Sequence, residues 1–196
     1  MIKLQLPVTE EAIRQLKVGD DVLLSGVMVT GRDRAHKYMI EKRPDDIRDI
    51  LKNTVIYHCG PVMKKHDDGK WEVVAAGPTT SIREEPYQAD VIAEYGIRGV
   101  IGKGGMGAKT LAGLQKSGAV YFHAIGGLSQ VLARCFTRVI DVHKLEEFGV
   151  PEAFWVLEAK DFPVVVTMDA NGNSMHEEIG TEAERKMKEI FQRMGK

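Results

Sequence analysis

Apolar and polar positions along the chain switch between a period of two and a period near 3.6. Residues 3–6 alternate, as a short edge strand does. Residues 22–30 are rich in β-branched and apolar side chains and predict a strand buried on most of its surface. Residues 54–58, 62–65, 71–76, 119–123, 137–142 and 164–168 predict further strands, and Asp68-Gly69 joins two of them in a hairpin. Helical spacing lies between them. Thr9 can cap a helix through Leu16, residues 44–51 and 87–95 are amphipathic, and helices are expected over 108–116 and 128–136. At residues 177–194, Ile179, Ala183, Met187, Ile190, Phe191 and Met194 predict a terminal helix docked on the core. A partner surface is the alternative use of its methionines. Intermixed strands and helices with no internal repeat place the chain in the α/β or α+β class.

At 196 residues the chain suits one sizeable core and is short for two, so residues 1–196 are expected to form a single domain. With 27 basic against 28 acidic residues it lacks the excess that nucleic acid or a membrane surface would require, and neither is an expected partner. No apolar run approaches the roughly 18 residues of a membrane span, and the first residues lack a signal-peptide core, so a cytoplasmic location is expected. Cys59 and Cys135 stand far apart. Two cysteines cannot supply the three or four thiolates an iron–sulfur cluster takes, and both read as buried thiols.

The densest chemical signal is residues 96–107, Gly-Ile-Arg-Gly-Val-Ile-Gly-Lys-Gly-Gly-Met-Gly, set between an apolar strand and a helix. Backbone N–H groups and the positive end of a helix dipole are expected to meet an anion there, with Lys103 adding a full charge. Gly102, Gly104 and Gly107 satisfy G-x-G-x-x-G. The dinucleotide fingerprint also wants an acid about 20 positions on, and residues 122–127 contain none. A Walker A loop fails as well, with Ile97 and Gly104 where glycine and Ser/Thr belong. Two other predicted strand ends carry compatible groups. One is Thr30-Gly31-Arg32-Asp33-Arg34-Ala35-His36; the other is Gly77-Pro78-Thr79-Thr80-Ser81-Ile82-Arg83. Arg32, Arg83 and Lys103 with the Thr79 and Thr80 hydroxyls suit a small di- or tricarboxylate. His58, His66 and His123 read as structural or exposed.

These three motifs, in this order and over nearly the whole chain, resemble the β subunit or C-terminal domain of the iron–sulfur hydro-lyases, the class I fumarases and L-tartrate dehydratases. The resemblance implies a swivelling β/β/α domain with mixed sheets and flanking helices. It implies a two-subunit enzyme, a hetero-oligomer in which a cysteine-bearing α subunit holds a four-iron (4Fe-4S) cluster whose open iron acts as Lewis acid on the departing hydroxyl. It assigns Arg32, Thr79, Arg83 and Lys103 to malate or fumarate, with Thr79 and Lys103 catalytic. Thr79 takes the proton beside a carboxylate and depends on an aspartate from the other subunit. Asp33, His36, Thr80, Gly102, Gly104 and Gly105 support them. Tartrate is the alternative substrate, and a non-catalytic nucleotide- or carboxylate-binding module the alternative function. The family usually has methionine after the arginine of the second motif; here Glu84 stands there.

Overall fold

The computed structural model describes residues 1–194. The first half of the chain forms β1 (Ile2–Gln5), α1 (Glu10–Arg14), β2 (Asp21–Thr30), α2 (Asp33–Lys42), α3 (Arg48–Leu51), β3 (Val55–Tyr57), β4 (Val62–Lys65) and β5 (Trp71–Ala75). A 3-10 turn (Ser81–Glu84) leads into α4 (Glu85–Tyr95), followed by β6 (Gly99–Gly102), α5 (Ala108–Ser117) and β7 (Val120–His123). The remainder is α6 (Ser129–Ala133), β8 (Phe136–His143), α7 (Leu145–Phe148), β9 (Phe154–Met168) and α8 (Met175–Arg193).

The main sheet runs β1-β2-β3-β6-β7-β9-β8, and β9 pairs with β2 as well as β7. Strands β2, β3, β6, β7 and β9 therefore close on themselves, leaving β1 and β8 as edges. β1, β2, β3, β6 and β7 are mutually parallel, whereas β9 is antiparallel to its neighbours. Alternation sorts the side chains. Val55, Tyr57, Ile101, Val120 and Phe122 enter one cluster with Phe162 and Val166, and Ile56, Val100 and Tyr121 enter another beneath α2, α4 and α5. Both faces are buried, which is why these short strands read as continuous apolar runs.

The edge strand, the hairpin of β4 and β5, the Thr9 cap and the helix after Tyr87 match the sequence expectations. Others need correction. Residues 33–42, where no element is expected from the sequence, are α2, because Ala35, His36 and Met39 stack on one buried face. Residues 44–51 are helical only from Arg48, and the helix expected over 128–136 stops at Ala133 so that Phe136 can begin β8. The strand expected at 164–168 is the end of the fifteen-residue β9. The terminal helix does not dock its apolar stripe: no residue of α8 is buried, and Ile179 and Phe191 are 62% and 45% exposed.

Candidate active site

The carboxyl ends of the parallel strands β2, β3, β6 and β7 meet at one end of the sheet, the end at which ligands bind in sheets of this kind. β2 delivers Arg32, β6 delivers Lys103 and β7 delivers His123. The segment 77–83 joins them by lying between the residues that follow β3 and β6, just past the end of their pairing. Thr79 N–H donates to the His58 carbonyl at 2.6 Å, Lys103 N–H donates to the Thr79 carbonyl at 3.3 Å, and Ser81 N–H donates to the Lys103 carbonyl at 3.0 Å. Backbone bridges link Cys59 with Pro78 and Thr80 with Lys103. The second and third motifs are thus one hydrogen-bonded unit, with Thr79 half-buried and Thr80 exposed.

The closeness of that unit explains Gly102. A Cβ there would overlap Ser81 Oγ, so only glycine lets that segment approach β6. Gly104 and Gly105 turn the chain away with φ of +81° and +76°. Arg32 is half-buried against Gly60, with Nε 3.4 Å from Glu152 Oε1. Arg83 reaches Asp33, which accepts a hydrogen bond from its Nη2. The first and second motifs are therefore joined through side chains.

Beneath this surface lies a buried polar chain. His36 Nδ1 is 2.9 Å from the Arg32 carbonyl, and His36 Nε2 and His58 Nε2 lie 2.9 and 2.7 Å from the same terminal atom, Oε1, of the Gln88 amide. His58 Nδ1 is 2.9 Å from Ser81 Oγ, to which Tyr121 Oη donates at 2.8 Å. Burial lowers the pKa of both histidines, and His58 is pushed further down by the neighbouring His36. Both rings are therefore neutral at physiological pH. A carbonyl only accepts, so neutral His36 carries its proton on Nδ1 and accepts at Nε2. The amide must then present its NH2 group to the two rings, and its two protons serve both. His58, read as structural, has this anchoring role. Gln88 was missed, although a polar residue in register with Val91, Ile92 and Tyr95 on the inner face of α4 was its signal.

The helix dipole is not available to a ligand, which corrects the expected anion cradle. Glu85 occupies the N-terminus of α5: its carboxylate accepts from Gly107 N–H at 2.8 Å, Thr110 N–H at 3.1 Å and Thr110 Oγ1 at 2.6 Å. The positive charges left at this strand end are the side chains of Arg32, Arg83 and Lys103.

Glu84 neither pairs with Arg83 nor points to solvent. It is fully buried with both carboxylate oxygens unpartnered, and burial, reinforced by Asp33 and Glu152, pushes its pKa up to about 8. Cys59 is also buried, which raises its thiol to about 12, and Cys135 is raised by burial too. Among the described residues no three His, Cys, Asp or Glu side chains are grouped to hold a metal ion. His123 and His176 lie under the glycine loop with ring centroids 6.2 Å apart. Both are lowered by burial, and His176 Nε2 is 2.9 Å from Thr167 Oγ1. No helix among the described residues is long and apolar enough to cross a membrane.

Residues 1–179 match the family model described as fumarase C-terminus. The chain is 57% identical over 179 residues to a putative fumarate hydratase class I of Geobacillus stearothermophilus, covering 91% of this chain and 34% of that protein. It thus spans about a third of the length of that relative. It is 40% identical over 186 residues to a putative L(+)-tartrate dehydratase subunit beta of Methanocaldococcus jannaschii, covering 93% of this chain and 95% of that one. To the L(+)-tartrate dehydratase subunit beta of Escherichia coli (strain K12) it is 39% identical over 174 residues, covering 88% and 85%.

Proposed function

Because the chain belongs to the fumarase C-terminus family, we propose that it is the β subunit of a two-subunit hydro-lyase, most directly one that interconverts fumarate and L-malate. The observation that carries this reading is the joining of all three motifs at one strand end. Thr79 and Lys103 share backbone hydrogen bonds, and Arg83 is tied to the first motif through Asp33. Arg32, Arg83 and Lys103 are the charges that would hold two substrate carboxylates.

In the dehydration direction a proton leaves the carbon beside a carboxylate, and in this reading Thr79 receives it. A neutral hydroxyl is far too weak a base unless a carboxylate takes its proton in turn. Three nearby carboxylates of this chain are engaged, Asp33 with Arg83, Glu85 with the α5 N-terminus, and Glu152 with the Arg34 N–H at 3.1 Å; a fourth, Glu84, is buried away from the surface with its pKa pushed up to about 8. The activating base, in this reading, comes from a partner subunit. The two cysteines present do not fit a four-iron cluster, which takes three or four thiolates, and neither belongs to a group of metal-holding side chains among the described residues. The cluster is accordingly assigned to the same cysteine-bearing partner, and no step is derived through it. The open, half-buried setting of Thr79 and Lys103 suits a site completed by another surface.

Tartrate is the second reading, favoured by the names of the relatives that match this chain over most of both lengths. The test is anaerobic co-purification with a cysteine-bearing partner, followed by kcat/KM for malate and for tartrate. The isolated chain should be inactive with both. Activity or a bound cluster in the isolated chain rejects the cross-subunit site, and a preference for tartrate selects the second reading.

A further inference from the structure

The nineteen residues of α8 carry an apolar stripe that the rest of the fold leaves uncovered. Ile179, Met187, Ile190, Phe191 and Met194 are all exposed. A helix of this length is only marginally stable in water without packing. The family match ends at residue 179, so most of α8 lies outside the body shared with the relatives.

We infer that α8 is a self-association surface on which the α8 of a second copy of this chain packs antiparallel. Two independent complementarities favour that occupant and that orientation. The first is charge. Residues 175–184 carry Glu177, Glu178, Glu182 and Glu184 with no lysine or arginine, whereas residues 185–193 carry Arg185, Lys186, Lys188 and Arg193 against Glu189. Antiparallel pairing sets each acidic half against the partner's basic half, and parallel pairing sets like on like. The helix dipole accounts only for charges in the first and last turns, and the pairs within the helix, Glu182 with Arg185 and Lys186 and Glu189 with Arg185, leave Glu177, Glu178, Glu184, Lys188 and Arg193 outside any ion pair among the described residues.

The second complementarity is size. Gly180 and Ala183 share the stripe with Ile179 in the first half, and the second half holds the bulky Met187, Ile190 and Phe191. Antiparallel pairing seats large side chains over small ones. It also gives Gly180 a reason to be there. Glycine in a helix interior costs about 1 kcal/mol relative to alanine, and here a Cβ would meet nothing within 4 Å, so the isolated chain has no steric need for it. Two-fold symmetry makes every contact occur twice, which closes the assembly at a dimer. Two helices about 28 Å long form a small interface, consistent with a dissociation constant of order micromolar.

Sedimentation equilibrium of the full chain from about 1 to 200 µM tests this directly. A monomer–dimer equilibrium that weakens with added salt is expected. Gly180→Leu, which the isolated helix accommodates, and Phe191→Asp should each weaken the dimer at least about tenfold while circular dichroism keeps the fold's signature. Glu182→Lys with Glu184→Lys should also weaken it, and adding Lys186→Glu with Lys188→Glu should restore part of the loss, since the inner charges that flank mid-helix are then exchanged together. A chain that stays monomeric throughout overturns the inference, as does a dimer indifferent to these changes or one that the exchange leaves no stronger than the Glu182→Lys, Glu184→Lys variant. Loss of a different co-purifying subunit on Gly180→Leu, with the chain alone monomeric, reassigns the face and overturns it too.

Discussion

Asp33 Oδ2 accepts a hydrogen bond from Arg83 Nη2, so the arginine offered to a substrate carboxylate already holds one of the protein's own. The pair bridges α2 and the turn after Thr79, and both side chains are substantially exposed. An exposed pair of this kind contributes about 0–1 kcal/mol, which a bidentate substrate carboxylate can exceed. Asp33→Asn should therefore change KM no more than about fivefold, while Arg83→Leu should lower kcat/KM by about 100-fold or more. Steady-state kinetics of the reconstituted enzyme decide this; equal losses in the two variants would make the pair structural.

Glu84 makes stability depend on pH with a definite sign. Its folded pKa, about 8, lies above the ordinary 4.5 because burial disfavours the charge and Asp33 and Glu152 add to the effect. The folded state thus keeps a proton that the unfolded chain loses first. Its contribution is fully present below about pH 4.5 and declines as pH rises toward 8. Glu84→Gln, which mimics the protonated acid, should match the parent near pH 4.5 and exceed it by about 1–3 kcal/mol at pH 8 in urea unfolding. A difference independent of pH would show that the carboxyl is ionised throughout.

Much of the frame was legible because its strands are buried on both faces and its turns use glycine and Asp-Gly. Val22, Leu24 and Met28 in β2, or Ile56 and Tyr57 in β3, announce themselves by side chain alone. Helix α2 was not legible, since Arg-Asp-Arg-Ala-His carries its helical reason in tertiary contacts of Ala35 and Met39 rather than in a long periodic run. The closure of the sheet was hidden for a similar reason. β9 contains Lys160, Asp161 and Pro163, local breakers overridden by its pairing with β2 across a bulge at Leu24 and Gly26. Within the site, Arg32, Thr79, Arg83 and Lys103 could be named from residue type at strand ends. The partners that position them, Gln88 and Glu85, could not, because hydrogen bonds between residues far apart in sequence leave no local period.

Gln88 joins two neutral imidazoles that anchor the first and second motifs, and among the described residues neither Nε2 has a second hydrogen-bond partner. Gln88→Leu leaves two buried acceptors unpaired at about 1–3 kcal/mol each, so a loss of about 2–5 kcal/mol is expected. Nitrogen-15 spectra should show both His36 and His58 as the neutral Nδ1–H form near pH 7. A proton on Nε2 of either ring would reverse the assigned amide orientation.

Lys103 makes its structural bonds through the backbone, to Thr79 and Ser81, and these survive any change of side chain. Lys103→Ala should therefore keep the parental unfolding temperature and lose activity by about 100-fold or more, the scale of removing one preorganised charge. Thr79→Val should keep the fold for the same reason, and its loss should fall on kcat more than on KM, because the hydroxyl is needed for proton transfer. Retained activity in either variant would assign that residue to structure alone.

Glu85 fills the helix start that follows the glycine-rich loop. Three donors of α5 converge on one carboxylate, and a charged acceptor at a helix start stabilises by roughly 1–2 kcal/mol. Glu85→Ala should cost about that much, whereas Glu85→Gln, which keeps an acceptor, should cost less than about 1 kcal/mol. The alanine variant also exposes N–H groups that nothing else satisfies, at the positive end of the α5 dipole. Sulfate or phosphate should then raise the unfolding temperature of Glu85→Ala more than that of the parent. Equal shifts for the two proteins would mean that the helix start finds other acceptors, and that the carboxylate is not what keeps anions away from the loop.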